Sequence, residues 1–227
     1  DVVFDYPQAL EIDLSYVSGP PDIHTLFFGG GTPTHLSPEQ LQRLLSLIQP
    51  TFLLTIGAQF RMEANPRGLN AATIAVLVEA GVNRVSLGAQ SFDQEALTML
   101  ERDHQPEDIV DVIDRLRQHS IMNRSIDLIF GVPGQSLRCW EQTIDAAIEL
   151  SIEHVSTYGL TYEKGTSFWQ RRSQGTLQPA DEECERAMYA LAMERLPNTG
   201  FEQYEISNFA RSGFACRHNQ VYWRAAE

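Results

Sequence analysis

Ser125-Ile126-Asp127-Leu128-Ile129-Phe130-Gly131-Val132-Pro133-Gly134 is an apolar run broken by a single carboxylate and closed by turn residues. Such a run, short and bounded by Gly and Pro, predicts a buried strand. The amphipathic stretch Cys139–Leu150 follows it, and a second apolar run, His154–Tyr158, comes next. Strand, helix and strand in that order make a βα unit whose strands lie parallel.

Upstream the pattern repeats. His24–Phe28, Gln59–Glu63 and Arg84–Gly88 read as strands; Pro38–Ile48, Asn70–Ala80, Asp93–Leu100 and Pro106–His119 read as helices between them. Ser37 ahead of Pro38 supplies a helix cap, and Gly81 after Ala80 supplies a terminator. Successive βα units of this length suit an α/β fold built as an open or closed barrel. Beyond Tyr158 the regularity weakens. Tyr162–Pro179 is polar and turn-rich, Asp181–Leu196 reads as a helix, and Gly200–Glu227 as loops with short extended pieces. Residues 1–161 are therefore expected to form the βα region, and 162–227 a helical extension and the start of a further region.

Composition narrows the function. The 227 residues carry 17 Lys and Arg against 30 Asp and Glu, a formal charge of −13, which argues against a protein that tracks nucleic-acid phosphates. No apolar run approaches the roughly 18 residues of a membrane span. Asp1–Asp5 contains neither an initiator Met nor a basic or long apolar segment, so an internal start without a secretory signal is expected. Cys139, Cys184 and Cys216 are sparse and odd in number, with no CxxC, which fits a reducing compartment and makes the cytoplasm the expected location.

In parallel βα architectures, functional groups collect at the carboxyl ends of the strands. There the chain places Gly29-Gly30-Gly31-Thr32-Pro33, then Glu63-Ala64-Asn65-Pro66, Gly88-Ala89-Gln90-Ser91, Asp127 ahead of Gly131-Val132-Pro133-Gly134, and Gly159-Leu160-Thr161. Three glycines let the main chain approach an ammonium or carboxylate, or they simply make a tight turn. The run is neither a Walker A loop nor GxGxxG. Asp127, inside an apolar strand, needs a partner, which is either a structural ion pair or a ligand. Glu63 faces the same choice, with Arg61 or Arg84 as possible partners, and Gln90 could simply brace a loop. Near the end, Cys216-Arg217-His218-Asn219-Gln220-Val221-Tyr222-Trp223 brings a thiol, an imidazole and two aromatics together. Iron porphyrin accepts such ligands, and the plain alternative is a packed or surface histidine.

Gly29–Pro33, Glu63–Pro66, Gly81-Val82-Asn83-Arg84-Val85-Ser86-Leu87-Gly88-Ala89-Gln90-Ser91-Phe92 and Asp127-Leu128-Ile129-Phe130-Gly131-Val132-Pro133-Gly134-Gln135 together resemble the radical S-adenosylmethionine proteins related to oxygen-independent coproporphyrinogen III oxidase (HemN) and the heme chaperone HemW. The segments Gln203–Ala210 and His218–Trp223 look more like the chaperone branch. The resemblance implies a partial (β/α)6 barrel with S-adenosylmethionine across its strand ends. Gly30, Gly31 and Thr32 would take the methionine end with Glu63 assisting, Gln90, Arg102 and Asp127 the ribose and carboxylate portions, and the backbone around Thr161 the adenine. His218 is the candidate heme ligand, with Cys216 as the competing donor.

One departure is large. The CxxxCxxC motif that supplies a [4Fe–4S] cluster in the family is absent from this sequence, and Cys139, Cys184 and Cys216 do not replace it. In relatives that motif lies shortly before a helix resembling Tyr6–Leu14, so the chain is expected to be a piece of a longer protein that stops short at both ends. By itself it is expected to catalyse no reductive cleavage of S-adenosylmethionine. The resemblance implies a chaperone that binds heme and passes it to acceptor proteins, or alternatively an oxidase using a 5′-deoxyadenosyl radical on porphyrinogen. A more distant reading is a cluster-free barrel enzyme with Glu63 and Asp127 as acid and base.

Overall fold

The computed structural model describes Leu10 and residues 22–225. The helix expected over Tyr6–Leu14 lies, apart from Leu10, outside the described residues. The described residues divide into two compact units, the first drawn from 22–86, 115–122 and 216–225 and the second from 87–114 and 123–215.

In the first unit, β1 (Asp22–Phe28) is followed by α1 (Pro38–Ile48), β2 (Leu53–Ala64) and α2 (Ala71–Glu79). Helix α1 begins where the sequence signals it. The Ser37 hydroxyl accepts from the Gln40 amide at 3.3 Å, and the Gln40 side chain accepts from the Ser37 amide at 2.9 Å, a reciprocal cap that satisfies two otherwise orphaned donors. Leu41, Leu44, Leu45 and Ile48 recur at helical spacing and are all buried. Gly81 ends α2 in a left-handed conformation, φ +79°, which lets the Val82 amide reach back to Leu77 O at 2.9 Å.

Strands β1 and β2 pair in parallel, with Thr25 opposite Gln59, Phe27 opposite Arg61 and Phe28 opposite Met62. Alternation then separates two faces. Phe60, Met62 and Ala64 are buried on one, where Leu26 and Phe28 line a hollow with Leu44 and Ile48 of α1. Thr25, Phe27, Gln59, Arg61 and Glu63 point to the other. Strand β2 begins at Leu53, earlier than the expected Gln59, because a register shift after Ile23 and the left-handed Gly57, φ +75°, interrupt the alternation. Leu53, Leu54 and Ile56 are exposed, so this half of the strand has no core face to betray it.

Strand β3 (Arg84–Gln90) carries the chain into the second unit, which contains α3 (Gln94–Met99), the start of α4 (Pro106–Gln118), β4 (Asn123–Phe130), α5 (Leu137–Glu149) and β5 (His154–Gly159). Strands β4 and β5 are parallel, with Asp127 opposite Ser156 and Leu128 opposite Thr157. Ile126, Leu128 and Phe130 face the helical layer; Phe130 packs on Trp140 of α5 at 5.6 Å between ring centroids. Trp140 is fully buried and gives its indole N–H to Met188 O at 2.8 Å, tying α5 to α7 (Glu182–Arg195).

The remainder departs from the expected loops. A helix α6 (Ser167–Ser173) forms inside the polar stretch 162–179, capped by Thr166, whose hydroxyl accepts from the Trp169 amide. After α7, β6 (Glu202–Gln203) and β7 (Asn208–Ala210) are the short extended pieces, and β7 adds to β5 antiparallel, with Ser156 opposite Asn208. Parallel pairing therefore ends at β5. Back in the first unit, Arg217–Trp223, expected as loop, is helix α8. No helix among the described residues is long and apolar enough to cross a membrane.

Candidate functional site

The first unit gathers its polar groups around Arg61. This residue is 7% exposed and lies with its guanidinium 4.8 Å from the centre of the Phe27 ring. It donates to Ser86 Oγ at 3.2 Å and Asn219 Oδ1 at 3.2 Å, approaches Cys216 Sγ at 3.4 Å, and pairs with Glu63 at 3.8 Å. Of the two arginines suggested for Glu63, Arg61 is thus one that meets it. Position in the strand explains the gathering, since Gln59, Arg61 and Glu63 alternate onto one face of β2 and Phe27 lies opposite Arg61 on β1.

The three glycines differ in what they require. A Cβ on Gly29 would lie 2.1 Å from Phe27 Cζ and 2.7 Å from Glu63 Oε2, so Gly29 admits the close approach of that ring and carboxylate. Gly30 has φ +83°, where a side chain is strained, but open space around it. Gly31 has neither restriction. A tight turn accounts for Gly30 and packing for Gly29, while Gly31 is unexplained by the fold. Thr32 N-caps a short 3₁₀ turn at Pro33–His35, without using its side chain.

Helix α8 lays Cys216, His218 and Asn219 against the polar face of β1 and β2. His218 Nδ1 is 3.1 Å from Thr25 Oγ1, its ring centroid is 5.0 Å from Phe27, and Tyr222 stands edge-on at 5.3 Å. Burial, and secondarily the positive charge of Arg61, push the His218 pKa below the usual histidine value, so the imidazole is held neutral. Cys216 is fully buried, with Gln59 and Asn219 as neighbours besides Arg61. Tyr222 and Trp223 are 74% and 62% exposed.

The second unit carries the remaining candidates. Gln90 ends β3 with φ +64°, a left-handed conformation rare for a non-glycine residue, and is buried. Arg102 has its Nε buried with no hydrogen-bond partner among the described residues, and burial lowers its pKa. Asp127 is half-buried on the face of β4 opposite Ile126 and Leu128, beside Ser156 of β5, and it is engaged by a partner. Thr161 is exposed just past β5. Motif reading overlooked Phe27 and met Asn219 only as a neighbour of His218; the i, i+2 spacing of Gln59, Arg61 and Glu63 is the signal that points to Arg61 as a centre.

Residues 11–147 match the Radical SAM superfamily. The chain is 40% identical over 225 residues to the heme chaperone HemW of Bacillus subtilis, covering 97% of this chain and 59% of that protein. It is 35% identical to the mitochondrial radical S-adenosyl methionine domain-containing protein 1 of Danio rerio, covering 89% and 46%. Among solved structures, the coproporphyrinogen III oxidase HemN of Escherichia coli superposes with a TM-score of 0.83 at 24% identity, over 96% of this chain and 52% of that one. The last likeness shows the fold, a mixed α/β architecture of mostly parallel strands. The chain belongs to the Radical SAM superfamily. It spans little more than half the length of the curated relatives it matches.

Membership implies S-adenosylmethionine and a [4Fe–4S] cluster. The cluster does not fit the described residues, among which no group of three His, Cys, Asp or Glu side chains is placed to hold a metal ion. Cys139, Cys184 and Cys216 are all free thiols and belong to no such group. In the first unit, the open space around Gly31 leaves main chain that S-adenosylmethionine could approach.

Proposed function

We propose that this chain is the S-adenosylmethionine-binding part of a HemW-like protein of heme metabolism, cytoplasmic in location, that binds heme and transfers it to acceptor proteins. The 40% identity to HemW along 97% of the chain carries the reading. Within it, Gly30, Gly31 and Thr32 hold the methionine end with Glu63, which Arg61 orients; Gln90, Arg102 and Asp127 take the ribose and carboxylate, and the chain at Thr161 flanks the adenine. When bound, S-adenosylmethionine would supply the 5′-deoxyadenosyl group that carries the family's radical chemistry.

For heme, His218 is the preferred ligand. In the neutral tautomer whose Nδ1–H donates to Thr25 Oγ1, Nε2 carries the lone pair that would bind iron. Exposed Tyr222 and Trp223 on the same helix offer aromatic surface to a porphyrin face. Cys216 is the poorer donor because it is fully buried. Hemin titration is the test. The expected result is a shifted Soret band that His218→Ala weakens and Cys216→Ser leaves largely unchanged. Loss only with Cys216→Ser would move ligation to the thiol, and a spectrum indifferent to both would remove this helix as the heme site.

A further inference from the structure

His104 stands outside every role given above, yet it is a completely buried titratable side chain. Its Nε2 lies 3.0 Å from Ala89 O, and its Nδ1 has no hydrogen-bond partner among the described residues. A carbonyl can only accept, so the proton is on Nε2 and Nδ1 carries a bare lone pair in a dry surrounding. Burial, together with the charge of Arg102, lowers the His104 pKa, against the opposing pull of the Ala89 contact, Asp103 and Asp108. The neutral Nε2–H tautomer is the one the surroundings select.

The same carbonyl receives a second donor. The Ser91 amide reaches Ala89 O at 2.8 Å, closing a three-residue turn around Gln90, whose φ is +64°. A γ-turn of this left-handed kind is rare and strained, and such conformations persist only where the surroundings over-determine them. The far side of the turn is held as well. Ser91 Oγ lies 3.3 Å from Thr143 Oγ1 and accepts from the Asp93 amide at 3.0 Å. His104 is the contact that fixes the acceptor end.

We propose that His104 is a positioning residue: through its hydrogen bond to the Ala89 carbonyl it locks the strained turn that aims Gln90 at S-adenosylmethionine. This inference rests on the reading of Gln90 as an S-adenosylmethionine contact. It further implies that a neutral donor at the place of Nε2 is what matters, because that atom alone makes the bond. Glutamine can set an amide N–H near that place; phenylalanine fills the volume and donates nothing.

Two measurements on the full chain test it. Hydrogen exchange at the Ser91 amide should quicken in His104→Phe and return toward the parent rate in His104→Gln, with far-UV circular dichroism unchanged in both. Titration with S-adenosylmethionine should show affinity weakened about tenfold in His104→Phe, the size of one hydrogen bond, and kept within about threefold in His104→Gln. Unchanged Ser91 exchange in His104→Phe would overturn the proposal whether or not ligand binding is measurable. If Gln90→Ala weakens binding and His104→Phe does not, the positioning role fails while the Gln90 contact stands. If Gln90→Ala leaves binding intact, that contact fails and the inference falls with it.

Discussion

Glu153→Ala should lower the unfolding free energy by about 3–5 kcal/mol, the cost of leaving one partner of a buried ion pair without the other. Arg124, at the start of β4, is 3% exposed. It gives Nε to Glu153 Oε2 at 3.0 Å, Nη2 to Oε1 at 2.5 Å, and its own backbone amide to Oε2 at 2.9 Å. The carboxylate thus satisfies a guanidinium and a strand-end amide together, just where β4 and β5 begin to pair. Removing it strands a charge with no access to water. The exposed Arg186–Glu183 pair on α7, with side chains 77% and 74% accessible, is the contrast, and Glu183→Ala should change stability by less than about 1 kcal/mol. Urea unfolding at neutral pH measures both. Replacing Arg124 and Glu153 together by Met and Leu should recover most of the loss, since burial without charge carries no desolvation penalty. A loss below 1 kcal/mol for Glu153→Ala alone would mean that water reaches Arg124.

The second large effect is expected in the glycine run, where three single substitutions separate turn, packing and ligand approach. Gly29→Ala forces a Cβ to within 2.1 Å of Phe27 Cζ and 2.7 Å of Glu63 Oε2. The ring cannot swing away freely, because Arg61 lies over it at 4.8 Å and the tilted His218 ring packs against it at 5.0 Å. The overpacking should cost about 1–3 kcal/mol and, by displacing Glu63, weaken S-adenosylmethionine binding by about tenfold or more. Gly30→Ala places a side chain at φ +83° and should cost about 1–2 kcal/mol through the backbone alone. Gly31→Ala meets neither obstacle, so stability should hold. Its loss of S-adenosylmethionine affinity, read by calorimetric titration beside a thermal melt, would come from blocked main chain. Unchanged affinity in Gly31→Ala would reduce the run to a turn and a packing contact.

Much of this architecture is written in short-range pattern. Ser37 and Gln40 cap α1, Gly81 ends α2, and the apolar runs at β4 and β5 are bounded by their own turn residues; each signal acts within a few residues and needs no distant partner. The ordered motifs at the strand ends were legible for the same reason, because main-chain approach and strand termination are local demands on residue type. What escaped sequence reading had no such local signature. Helices α6 and α8 are seven residues each, below the length at which propensity sustains a helix, and form only with tertiary support. The early half of β2 lacks a buried face, so nothing in its periodicity separates it from a loop.

The candidate site divides along the same line. By itself the sequence determined the βα succession, the glycine run, the carboxylates at the strand ends, the missing CxxxCxxC and the likeness to the radical S-adenosylmethionine family, all of them properties of neighbouring residues. Only the tertiary structure decided that Arg61 meets Glu63, that Cys216 and Asn219 converge on the same guanidinium from far along the chain, and that His104 reaches the Ala89 carbonyl. Those contacts follow from strand register and from where a short helix docks. Both are chosen by the free energy of packing, which depends on side chains widely separated in sequence and has no signature in any one stretch of it.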